Sequence, residues 1–180
     1  MKLSVNANAL KEQLTSEFEE TTKELFEALS LFSDEDFNKI PFEGSWTAGQ
    51  VAEHLFKSES NIPRVLSASS KETEGDPFEK TGIIRTVFLD YTIKLQSPEF
   101  ILPSANKKQT ATFIEGFEET RKELKTMIGT LDLNKTFTSF SFPQIGNLTG
   151  WELICFVVCH SKRHIRQMKM IAEKIRAVKV

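Results

Sequence analysis

Apolar residues recur at intervals of three and four along most of the chain, and no alternating run persists for long. The pattern predicts an all-α protein. A first helix, from Asn8 to Phe32, carries Leu10, Leu14, Phe18, Thr21, Leu25, Ala28 and Phe32 on one face, with lysine and glutamate elsewhere. After Pro41 and Gly44, Thr47 and Gln50 form a T-x-x-Q capping box that opens a second helix with the inward stripe Val51, His54, Ser58, Ile62 and Val65. Pro63 should kink or end it, because the ring removes a backbone donor and clashes with the preceding turn. The charged stretch 71–80 reads as a solvated loop. A shorter third helix presents Ile84, Val87, Phe88, Tyr91 and Leu95, ending before Pro98. The fourth, from Gln109 to Leu131, has the stripe Ile114, Phe117, Arg121, Leu124, Ile128 and Leu131. Residues 132–148, with Phe137, Phe140 and Phe142, read as a long apolar loop that caps the end of a bundle or walls a pocket. Thr149 and Glu152 form a second capping box, opening a last helix to Lys174.

At 180 residues, the expectation is one domain spanning 1–180. Net charge is −2, with 23 basic and 25 acidic residues interspersed, which gives no electrostatic footprint for nucleic acid or a membrane surface. The N-terminus lacks the apolar run of a signal peptide, and no stretch is apolar enough to cross a bilayer, so a soluble cytoplasmic protein is expected. Cys155 and Cys159 project in parallel from one helix, and a disulfide between them is not expected.

The last helix carries the chemistry. Its inward positions are Leu153, Val157, His160, His164, Gln167 and Ile171, so three polar residues interrupt an apolar stripe. His160 and His164 lie one turn apart, and His54 from the second helix would complete a three-nitrogen ligand set. The competing reading is three core histidines bonded to backbone, with no metal. The two cysteines lie on roughly the opposite side of this helix and are poor ligands for the same ion. Because Trp151–Val158 is apolar nearly all round, this half lies deep in the fold or at a subunit interface, and a homodimer is expected. Arg121, in an apolar stripe, either snorkels to water or anchors a substrate anion; Arg163 is a weaker anion anchor or a surface charge. Three neutral imidazoles leave a divalent ion its full charge and an open position, as in catalytic sites; zinc or nickel is the default. Hydrolysis wants a general base, but Glu53 points about 100° around the helix from His54. Thiol chemistry needs none, because coordination itself ionises the thiol, and is favoured.

Trp46-Thr47 with His54 eight positions after the tryptophan, the Pro143-x-x-Gly146-x-Leu148-Thr149 loop and His160-x-x-x-His164-x-x-Gln167 together resemble the DinB-like family. The resemblance implies an up-and-down four-helix bundle with an additional short helix, commonly dimeric, holding a divalent metal, often zinc or nickel, on His54, His160 and His164. Relatives of known activity include thiol-dependent transferases and a mycothiol-dependent isomerase; DNA binding is not implied. Many members carry a His-Pro pair where this chain has Phe142-Pro143, which makes the pocket more apolar. The expectation is a metal-dependent enzyme of the thiol S-transferase type, acting on a small molecule with a low-molecular-weight thiol, with Gln167 orienting a ligand or water. A metal-dependent hydrolase and a non-catalytic metal-binding or small-molecule-binding bundle are the alternatives.

Overall fold

Four long helices dominate the computed structural model, which describes residues 2–178: α1 (Lys2–Leu29), α3 (Ala48–Glu59), α6 (Thr110–Thr130) and α7 (Gly150–Val178). Shorter helices α2 (Asp34–Phe37), α4 (Ile62–Leu66) and α5 (Thr81–Leu89) join them. Helix α7 packs against α1, α3 and α5, while α6 closes over α1, α3 and α4. At the α3–α6 crossing, a Cβ on Gly116 would come within 2.8 Å of the Phe56 ring, so that ring seats in the notch the glycine leaves on α6.

Both capping boxes form. Thr47 Oγ1 accepts from Gln50 N while Thr47 N donates to the Gln50 side chain. Thr149 and Glu152 repeat the exchange at α7, and Glu152 also accepts the Lys80 amide at 2.7 Å. Pro63 falls in the first turn of α4, where its missing N–H is no loss, so the second sequence helix divides into α3 and α4.

Two apolar cores fill the bundle. Leu14, Phe18, Ile62, Ile84, Leu124 and Val157 belong to one; Leu25, Phe37, Val51, Leu55, Phe117 and Met168 belong to the other. Each chain segment passes from one core to the other at buried polar residues: Thr21 in α1, Glu59 in α3, Arg121 in α6, and His160, Ser161 and His164 in α7.

Two expectations are corrected. The third helix ends at Leu89, leaving Tyr91 and Leu95 outside it and 45% and 39% exposed. The apolar loop contains β-structure: β2 (Thr136–Phe142) and β3 (Gly146–Thr149) form a hairpin, and β1 (Ser70–Lys71) adds antiparallel to β2. In the run Thr-Phe-Thr-Ser-Phe-Ser-Phe the alternation breaks at Thr138-Ser139, and the register is irregular between Phe137 and Phe142. Its turn is made by Gln144 and Gly146, at φ 66° and 80°. The all-round apolar half of α7 lies deep in the fold, the first of the two placements expected for it. Cys155 and Cys159 are free and buried, with sulfurs 4.0 Å apart. No described helix is long and apolar enough to cross a membrane.

Candidate metal centre

Helix α3 delivers His54 and α7 delivers His160 and His164 to one point in the polar band between the cores. All three side chains are buried. His54 Nε2 lies 3.3 Å from His160 Nε2, and His164 Nε2 lies 3.0 Å from the same atom. One nitrogen from each ring falls within 4.8 Å of the others, the only such grouping of three ligand side chains among the described residues.

The outer nitrogens set the protonation of the inner ones. His54 Nδ1 donates to the Ile101 carbonyl at 3.0 Å, and His164 Nδ1 to Gln167 Oε1 at 2.9 Å. Each therefore presents an Nε2 lone pair inward. Only one proton, on His160 Nε2, is left to separate two converging lone pairs. If His160 instead carries its proton on Nδ1, three lone pairs face one another. Its Nδ1 is buried without a partner, and the ring is held by packing: Phe156 stacks on it at 5.1 Å and Phe88 meets it edge-on at 5.4 Å. Trp46, at 5.3 Å, packs on His54.

Burial drives all three imidazoles toward the neutral form. His164 is pushed down to about 3 by burial and the nearby His54; His160 lies well below its ordinary range through burial and its two histidine neighbours; burial lowers His54 as well. The set fits a divalent cation: the rings are neutral and convergent, and tetrahedral ligation at about 2.0–2.1 Å places neighbouring nitrogens about 3.3 Å apart.

Residues 90–109 form a strap across α3. His54 holds it at Ile101, Lys57 Nζ donates to the Leu102 carbonyl at 2.7 Å, and Gln50 reaches Ser104 O at 3.4 Å. Glu53 accepts from the Ser104 amide at 2.9 Å and pairs with Lys108 at 2.9 Å and Lys57 at 3.0 Å. These donors outweigh its burial and hold its carboxyl at about 2. From α7, Arg163 donates to the carbonyls of Phe88, Asp90 and Ile93, tying down the strap's start.

Arg121 neither snorkels nor stands free for a substrate. It is 3% exposed and bonds Glu59 at 2.6 Å and 2.8 Å and Ser161 at 2.6 Å, with its guanidinium over the Phe18 ring. Arg163, given to the strap, is not an anion anchor either. Gln167 Oε1 accepts from His164 Nδ1, so this side chain orients a histidine. Glu59 escaped the sequence reading, although it sits four residues after Leu55 in the α3 stripe. A lone acid in one apolar stripe and a lone base in another were the available signal. The cysteine sulfurs take no part in the histidine cluster.

The sequence profile of the DinB superfamily matches residues 17–168. An uncharacterized protein of Bacillus subtilis (strain 168), YuaE, is 28% identical over 163 residues, covering 88% of this chain and 96% of its own. Among solved structures, YfiT from Bacillus subtilis, described as a probable metal-dependent hydrolase with an unusual four-helix bundle topology, aligns with a TM-score of 0.59 over 92% of this chain and 87% of its own. At 17% identity, that likeness speaks for the bundle fold alone. With 152 of its 180 residues inside the profile, the chain belongs to the DinB superfamily.

Proposed function

We propose that the protein is a metal-dependent enzyme in which His54, His160 and His164 hold a divalent cation, zinc or nickel, and that it transfers a low-molecular-weight thiol to a small-molecule electrophile. The observation that carries the reading is the convergence of three buried imidazole nitrogens, two of them fixed as lone-pair donors by Ile101 and Gln167. A divalent cation held there would act as a Lewis acid able to ionise a thiol or a water near neutral pH.

The chain's own groups favour the thiol. Glu53, the carboxylate beside His54 in sequence, is bound to two lysines and a backbone amide, and at a pKa of about 2 it is too weak a base to help water attack. A thiol needs no such base. Gln167 and the Ile101 carbonyl keep two rings in the ligating tautomer, and the packing of Trp46, Phe88 and Phe156 limits water around them. Hydrolysis is the second reading, supported by the description of the structurally similar YfiT.

The deciding experiment is elemental analysis of tag-free protein purified without added metal, alongside a His160→Ala/His164→Ala double variant. Near-stoichiometric zinc or nickel, lost in the variant, is expected. The loaded protein is then assayed for thiol consumption with an aryl halide and for ester hydrolysis. Metal in neither protein would overturn the metal reading, and hydrolysis without thiol transfer would replace the first activity by the second.

A further inference from the structure

An unbroken row of aromatic rings runs outward from the histidines. Phe156 stacks on His160; Phe142 meets Phe156 at 4.8 Å, Phe140 meets Phe142 at 4.9 Å, and Phe100 of the strap meets Phe140 at 6.4 Å. Exposure grows along the row: Phe156 is buried, Phe142 and Phe140 are half-buried, and Phe100 is 63% exposed. Half-buried rings on the β2–β3 hairpin leave apolar surface two ring contacts out from His160.

The charges around the site point the same way. Lys57 lies three residues after His54 in α3, and Arg163 immediately precedes His164 in α7. Lys57 is bound to Glu53 and the Leu102 carbonyl, and Arg163 to three backbone carbonyls. Lys108 is bound to Glu53 and Ser104, and Arg121 to Glu59. The cations near the site thus fasten the strap or the core, and are not arrayed to bind a carboxylate or phosphate.

Building on the metal-site reading, we propose that this site selects an uncharged substrate carrying an aryl or bulky alkyl group, which packs on Phe142 and Phe140 while its reactive end reaches the histidines. Aromatic rings suit such a group because they supply large, rigid apolar area at little entropic cost.

The test uses protein loaded with Co(II), titrated with phenylmethanethiol or with mercaptoacetate and followed by the sulfur-to-cobalt charge-transfer band. The aromatic thiol should bind at least about tenfold more tightly, as burial of one ring predicts. Phe142→Ser should abolish that preference and leave mercaptoacetate within about twofold of wild type. Phe142→Leu, which keeps an apolar strand residue, serves if the serine variant fails a thermal-melt check; it should lose part of the preference. Equal affinity for the two thiols, or a preference untouched by these variants, overturns the inference. A band with neither thiol defeats the thiol reading instead. The ring row is then read on apo protein by NMR saturation transfer to benzyl alcohol: transfer that Phe142→Ser removes supports the row, and no transfer in wild type overturns it.

Discussion

Two buried polar clusters bridge α3 and α7 within the same band, and they solve the problem of burial differently. Glu59, Arg121 and Ser161 are complementary: an acid, a base and a hydroxyl bond one another, with a carboxylate oxygen only 2.6 Å from the guanidinium. His54, His160 and His164 are alike, each offering the same kind of atom to the same point. The first cluster joins acid to base and leaves only the Arg121 Nε without a partner; the second, at its meeting point, has more lone pairs than protons. Burial raises the Glu59 carboxyl against the pull of Arg121, so the pair gives little net stability over water, yet each partner would be stranded without the other. The contrast teaches that burial of polar groups marks a site only when the groups fail to satisfy one another.

The sharpest way to break the comparison is to cut one partner. Arg121→Ala should strand a buried carboxylate and cost about 3–5 kcal/mol, a fall in Tm of about 10 °C or more. The paired change Glu59→Leu/Arg121→Met should recover most of that loss in a denaturant titration. A metal ion should do for the histidines what Arg121 does for Glu59. Adding zinc or nickel at about 100 times its Kd should raise wild-type stability by about 2.7 kcal/mol, an effect absent from His160→Ala/His164→Ala in the same thermal scan. Gln167→Ala, which frees the His164 ring, should weaken metal affinity by about 10- to 100-fold, measured by competition with a chromophoric chelator, while Ser161→Ala leaves affinity within a few-fold. The smallest effect belongs to Cys159→Ala. That side chain neighbours His160 in sequence but takes no part in the cluster, so affinity should stay within about twofold by the same competition.

The histidines could be read in the sequence because helical spacing alone puts His160 and His164 on one face, and because no other histidine exists to confuse the choice. Both capping boxes were legible for a similar reason: their partners lie three residues apart. Glu59 and Arg121 were not, since 62 residues separate them and each alone looks like a blemish in an apolar stripe. The β2–β3 hairpin was missed because its alternation is short and its register irregular, so the phenylalanines registered as composition rather than as a pleat. The strap was invisible for a further reason: it is held chiefly through its own backbone atoms, Ile101 O, Leu102 O and Ser104 N, which any residue supplies.

That manner of fastening ties the strap to whatever occupies the histidines. The Ile101 carbonyl keeps His54 in the tautomer that offers Nε2, so a cation drawing on Nε2 makes the N–H at the ring's other end a stronger donor, and by reciprocity a closed strap favours the cation. Occupancy would then be recorded in the backbone of the strap. Amide exchange at Ile101, Leu102 and Ser104 should slow when the ion arrives, and a protease that nicks the strap of the empty protein should find the filled one resistant.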